Sequence, residues 1–256
     1  MERFSRIQSF LGEEGFTRLQ QSFITIVGIG AVGGHVAEGL ARAGINRLRL
    51  VDFDTIQPSN INRQIMALDT TLGRPKVEVA RERIAAINPQ CRVEALQLFA
   101  GAETVEQILS PAPDILIDAI DSMNPKVQLL TAAHSRRIPI ISSMGAALRS
   151  DPTQIRVGDL MDSKNCPLAR RLRQRLRRVG IERGISCVFS TEAVIYNYQE
   201  AEELVPTIDE ERPNNDAPFG DRGRQRRSLG SLPTLTGIFG LIIANEVILR
   251  ITGRQP

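Results

Sequence analysis

At 256 residues the chain is long enough for one large α/β domain, whose core needs no disulfide or metal to hold it together. A hydrophobic share of 42% beside 24% charged residues excludes a disordered or fibrous chain, and a net charge of +3 excludes a uniformly polybasic one. Three widely spaced cysteines, Cys91, Cys166 and Cys187, form no CxxC pair, so neither a disulfide framework nor a cysteine zinc site is expected and a reducing cytoplasm fits.

The opening residues carry Glu2, Arg3 and Arg6 in place of the apolar core of a signal peptide. Residues 23–27 form an apolar, β-branched run ending in glycine. Val32, Val36 and Leu40 then repeat at helical spacing until Gly44 supplies a stop, and residues 48–51 read as a second strand. Strand, glycine turn, helix and strand open a parallel sheet. A helix at 76–87, stopped by Asn88 and Pro89, leads to a strand at 93–98; residues 115–119 read as a strand, 127–136 as a helix and 138–142 as a strand. The expected fold is therefore a single α/β domain of Rossmann type, with a mostly parallel sheet and helices on both faces. Farther on the order loosens to a strand near 154–157, an arginine-rich helix from Pro167 and a strand near 187–189. Residues 206–227, rich in Pro, Asn, Asp, Gly and Arg, read as a mobile surface loop. The apolar segment 237–251 is broken by Asn245, Glu246 and Arg250; its apolar run is too short to span a bilayer, and it reads as a buried helix.

Gly28-Ile29-Gly30-Ala31-Val32-Gly33 is a GxGxxG turn between strand and helix. Gly28 allows the tight turn, Gly30 lets a phosphate approach the backbone, and Gly33 lets the helix pack on the strand, with helix N–H groups facing the anion. Asp52 closes the second strand, where an acidic residue accepts hydrogen bonds from ribose hydroxyls. An NAD-dependent oxidoreductase or an NAD-sensing module would share these features, so they specify a nucleotide and not a reaction. The decision comes from Asp54, then Asn60 and Arg63 in the run Ser59-Asn60-Ile61-Asn62-Arg63-Gln64, then Lys76. A triphosphate needs such amides and cations, and a dehydrogenase does not. Asp118 and Asp121 add two carboxylates at a strand's C-terminal end, where Mg²⁺ would find oxygen donors. His35 and His134 have no metal-ligand spacing, and Cys187, starting a Val-Phe strand, reads as a small core residue ahead of a nucleophile.

In the arginine-rich segment Leu168, Leu172, Leu176 and Val179 recur at helical spacing, with Pro167 at the start and Gly180 at the end. The arginines occupy the remaining surface. Charge alone makes this a solvated helix face.

The run from Gly28 through Asp121 resembles the ubiquitin-activating enzymes and the bacterial sulfur-carrier-activating enzymes, the ThiF/MoeB superfamily, and the resemblance covers nearly the whole chain. It implies an adenylating enzyme using ATP and Mg²⁺. Asp52 would hold the ribose, Asn60, Arg63 and Lys76 the phosphates, and Asp121 the metal, with Gly28, Gly30, Gly33 and Asp54 completing the nucleotide site. Arg3-Phe4-Ser5-Arg6 matches an N-terminal motif whose second arginine, here Arg6, reaches the ATP of the other subunit, which implies a homodimer. Without CxxC pairs the chain most resembles, within that superfamily, the tRNA threonylcarbamoyladenosine dehydratases. The matching stretches are Asp118-Ala119-Ile120-Asp121-Ser122, Asp151-Pro152-Thr153-Gln154-Ile155, the helix from Pro167, and the stretch from Cys187 to Ala193. The implied reaction is ATP-dependent cyclisation of that nucleoside in tRNA through a carboxyl-adenylate, with Arg6, Arg63, Lys76 and Asp121 catalytic. The alternative is adenylation of the C-terminal glycine of a ubiquitin-like sulfur carrier. With a tRNA substrate implied, Arg171, Arg175 and Arg178 become candidate nucleic-acid contacts. A cysteine desulfurase with its sulfur acceptor is the protein partner the resemblance leaves open.

Overall fold

A computed structural model describes residues 2–194 and 229–254. Its strands are β1 (Phe23–Val27), β2 (Arg47–Val51), β3 (Arg92–Leu96), β4 (Ile115–Asp118), β5 (Ile140–Ser143), β6 (Ile155–Asp159) and β7 (Ser186–Ser190). They form one sheet in the order β3-β2-β1-β4-β5-β7-β6. Every neighbouring pair is parallel except β6 with β7. Ile24 of β1 lies between Leu48 of β2 and Ile115 of β4, so the chain runs outward on one side of β1 and then returns to build the other. That reversal opens a crevice at the carboxyl ends of β1 and β4, the place where open α/β sheets bind ligands.

The two faces of the sheet bury separate apolar layers because successive strand residues point opposite ways. Ile24, Ile26, Leu48 and Leu50 pack against α1 (Ser5–Gln21), α2 (Gly33–Ala43), α3 (Lys76–Ile87) and the C-terminal helix α7 (Pro233–Thr252). Val27, Val51 and Leu116 meet α4 (Val105–Leu109), α5 (Met123–Ser135) and α6 (Pro167–Arg177) on the other face. At the end of α2, Gly44 adopts φ 96°, and the Ile45 N–H returns to the Leu40 carbonyl, closing the helix with a left-handed cap.

Four sequence expectations shift. α1 and α4 are additional: Gly12, at φ 74°, interrupts α1 and hides its repeat, and α4 has only five residues. α7 begins at Pro233, earlier than expected, and its 20 residues are by length and composition alone enough to cross a membrane. In the fold it is a packing helix, burying Leu235, Phe239, Ile243 and Val247 at four-residue spacing. Gly240 brings it so close to α2 that a Cβ there would lie 2.5 Å from the Val32 carbonyl oxygen. Finally, the buried stripe of α6 is Ala169, Leu172 and Leu176; the helix ends at Arg177, which leaves Val179 exposed beyond it. The 206–227 stretch lies outside the described residues.

Candidate active site

The glycine turn sits at the crevice, and the loop after β4 presses on it. At Gly28, φ 92°, a Cβ would fall 2.7 Å from the Ala119 carbonyl oxygen, and at Gly33 a Cβ would fall 1.8 Å from the Gly28 carbonyl oxygen. Both positions exclude a side chain. Gly30 differs: the nearest atom to its would-be Cβ is Gln64 Nε2 at 3.9 Å. The turn is tight below and open above, the shape that lets an anion approach the backbone at the start of α2.

Asp52 lies at the end of β2, buried beside the turn. The Ile29 N–H donates to its Oδ2 at 2.6 Å and the Asp54 N–H to its Oδ1 at 2.9 Å. Burial pushes its pKa above the usual aspartate value, while the nearby Lys76 charge pulls the other way. Lys76 opens α3; its side chain is 6% exposed and its ammonium donates to Asp54 Oδ2 at 2.6 Å. Asp54 thus holds Lys76 beside Asp52.

Asn60 and Arg63 share the short turn after β2. Asn60 Oδ1 accepts from the Gln57 N–H at 3.0 Å, which engages the amide oxygen and leaves Nδ2 as the donor end. Arg63 Nη1 donates to the Ser59 carbonyl at 2.8 Å and to Asn62 Oδ1 at 3.0 Å, so the guanidinium is steadied by its own turn.

The two carboxylates after β4 have different surroundings. Asp118 is fully buried: Lys126 Nζ lies 2.7 Å from its Oδ2, Ser142 Oγ donates to the same oxygen, and the Ile120 N–H donates to Oδ1. Lys126 Nζ also donates to the Ile120 and Ser143 carbonyls, both at 2.9 Å. Its three N–H bonds are all used, tying the loop of Asp121 to β5. Asp118 is therefore structural, and Asp121 is the exposed carboxylate. Among the described residues no three His, Cys, Asp or Glu side chains gather as a metal cage. One carboxylate fits Mg²⁺, which takes most of its oxygens from phosphates and water.

Sequence reasoning gave no role to Lys126, which precedes the helix expected at 127–136 and in the structure pairs with Asp118, or to Gln64, whose Nε2 lies nearest the open space above Gly30. Arg6 is exposed on α1 and, among the described residues, enters no hydrogen bond or ion pair of this site. Cys187 is buried, its thiol pushed up to about 12 by burial, and is no nucleophile in this state. His35 bonds the Ala31 carbonyl within its own helix turn, and His134 bonds the distant Arg183 carbonyl, both structural contacts.

The ThiF family matches residues 3–256. The chain belongs to this family. It is 42% identical over 195 residues to a tRNA threonylcarbamoyladenosine dehydratase of Bacillus subtilis (strain 168), covering 76% of this chain and 77% of that one. It is 35% identical to the dehydratase of Escherichia coli (strain K12), covering 99% of this chain and 94% of that one. The structure of the E. coli enzyme, TcdA, in complex with ATP superposes with a TM-score of 0.84 at 34% identity, over 98% of this chain and 94% of that one.

In this ThiF-family chain the arginine helix adjoins the same end of the sheet. α6 packs on α5, and the Arg175 guanidinium bonds the side chain of Asn124, three residues beyond Asp121. Arg171, Arg175 and Arg178 are exposed, whereas Arg173 is drawn inward to the Ser163 carbonyl at 2.8 Å.

Proposed function

We propose that the chain catalyses the ATP-dependent cyclisation of threonylcarbamoyladenosine in tRNA. The observation that carries this reading is the likeness to the E. coli dehydratase over nearly the full length of both chains. A threonyl carboxylate is a poor electrophile, because its leaving group would be oxide. Attack of a carboxylate oxygen on the α-phosphorus of ATP forms an acyl-adenylate, and the bond to the bridging oxygen breaks to release pyrophosphate. A neighbouring group of the same modification then attacks the acyl carbon and loses its proton to solvent. AMP leaves with the former carboxylate oxygen, so the nucleoside loses one water. Both reacting groups belong to one molecule, so effective molarity is high and a covalent enzyme intermediate is unnecessary. The buried, protonated Cys187 accords with that.

On this reading Asp52 accepts from the ribose hydroxyls, and the Gly28, Gly30 and Gly33 turn receives the phosphates. Asn60, Arg63 and Lys76 counter their charge, with Lys76 exchanging its contact to Asp54 for one to phosphate. Asp121 would hold Mg²⁺, which neutralises phosphate charge when bound. Arg6 completes the site from a second copy of the chain. The exposed Phe10 of α1 and Leu241 of α7 are apolar surface that a second copy would cover. Arg171, Arg175 and Arg178 would meet tRNA phosphates, and the reaction would run in the cytoplasm. A cysteine desulfurase with its sulfur acceptor is a further partner on the resemblance alone.

The test is mass spectrometry of nucleosides from tRNA incubated with the protein and ATP. Loss of one water from the threonylcarbamoyl nucleoside, with AMP formed in step, is the expected result. AMP formation that requires a sulfur-carrier protein and leaves tRNA unchanged would overturn it.

A further inference from the structure

Gln64 presents an unusual combination of burial and missing partners. The residue is 7% exposed, and its Oε1 is sealed from solvent with no hydrogen-bond partner. Its Nε2 is the nearest atom to the open space above Gly30. The backbone fixes this placement: the Gln64 N–H donates to the Asn60 carbonyl, and the Ala67 N–H donates to the Gln64 carbonyl, both at 2.9 Å. The next residue clamps the segment on α2, since a Cβ at Gly34 would lie 3.1 Å from Ile65 Cγ2. Gln64 is thus held over the first turn of α2 with its carboxamide across the mouth of the glycine turn.

Sealing an amide oxygen without a partner costs stability, and a methionine or leucine would fill the same space without that cost. As packing, glutamine is the worse choice. The compensation lies at the other end of the carboxamide, because an N–H beside a glycine turn can donate to an anion seated on it, and a bond to a charged acceptor is stronger than one to a neutral acceptor. An anion also selects the orientation of the amide, since the oxygen end would be repelled.

We propose that Gln64 is a phosphate-recognition residue, its Nε2 donating to a phosphate oxygen of the nucleotide seated over Gly30. The proposal rests on the reading of the glycine turn as an ATP site. It gives the segment after β2 a neutral donor beside the two cations Arg63 and Lys76.

The experiment compares wild type, Gln64→Met and Gln64→Glu in the full chain, using calorimetric titration with ATP and with adenosine, and thermal denaturation without ligand. Gln64→Met should weaken ATP binding about 10- to 100-fold, the equilibrium value of a hydrogen bond to a charged group. Adenosine binding should be unchanged, because the donor faces phosphate. The melting temperature should hold or rise, since the sealed oxygen is gone. A merely structural glutamine would give the opposite pattern, a lower melting temperature with ATP affinity intact, and that result overturns the proposal. Gln64→Glu keeps the shape while placing a carboxylate against the anion, so it should lose more ATP affinity than Gln64→Met; equal or better ATP binding overturns the proposal even if Gln64→Met fails to fold. Wild type binding adenosine as tightly as ATP would instead remove the phosphate site itself.

Discussion

Asp52 combines burial with a task that calls for charge, and this has a consequence in pH. Its carboxyl is removed from water beside Ile29 and Asp54, and burial raises its pKa while Lys76 opposes the rise. The native state therefore keeps this proton at pH values where the unfolded chain has lost it. Its contribution to stability falls as pH climbs from the ordinary aspartate value through the raised native one. Ionised Asp52 is the better acceptor for ribose hydroxyls, so adenosine affinity should increase across that same window. The midpoint should lie above that of an ordinary aspartate. Asp52→Asn should abolish this pH dependence, and Lys76→Met should move the midpoint upward by removing the opposing charge. Adenosine is the ligand of choice because it bypasses the role of Lys76 at phosphate. An unmoved midpoint in Lys76→Met would show that the two groups are not coupled. At this scale residue type and spacing supplied the candidates, namely the three glycines, Asp52, Asn60, Arg63 and Lys76, and the structure brings Asp52, Asp54 and Lys76 together beside the glycine turn. The sequence could not disclose that Asp118 is consumed by Lys126, or that one end of Gln64 has no partner, because burial and orphaned atoms arise only when distant segments meet.

The elements show a similar division. β1, α2 and α3 were legible to within a residue, because β-branched runs, a helical repeat and a glycine or Asn-Pro stop all agree there. α1 was not, since Gly12 and Gly15 erase its repeat, and its packing against α7 supplies what local pattern lacks. In α6, leucines recurring at helical spacing after Pro167 disclosed the helix, and the structure then separated its arginines by their surroundings. Arg173 is tied inward, while Arg171, Arg175 and Arg178 remain exposed and Arg175 bonds the side chain of Asn124 in the first turn of α5. Arginines that contact nucleic-acid phosphates release counterions, so tRNA affinity should fall steeply with salt. Each lost contact should flatten the logarithmic slope by about 0.7 to 0.9. Replacing Arg171, Arg175 and Arg178 by Ala should weaken tRNA binding and reduce that slope. Folding should survive, because Ala169, Leu172 and Leu176 form the buried stripe. A salt series of tRNA binding, with ATP binding as control, decides the matter: identical slopes for wild type and variant would return α6 to a solvated face.

At the scale of the whole molecule, one cation expected at the nucleotide site, Arg6, makes no contact with that site among the described residues. Arg63 and Lys76 stand on the segment after β2 and at the start of α3, but Arg6 projects from the exposed side of α1, four residues before the exposed Phe10. An exposed arginine that stands apart from its own site, one helical turn from an exposed phenylalanine, fits a closed two-fold dimer in which the same surface meets itself and each α1 serves the other copy. Arg6→Ala and Asp121→Ala should then each be inactive alone, for different reasons located on different subunits. When they are mixed and allowed to exchange, a mixed dimer holds one site with both groups intact and one with neither. Random exchange should therefore restore roughly a quarter of wild-type AMP formation, since half of the dimers are mixed and each has one working site. Sedimentation should find the dimer in every sample, and differently labelled subunits should confirm exchange. If exchange is complete and the mixture stays inactive, Arg6 acts on its own subunit or on none, and the dimer has no part in completing the site.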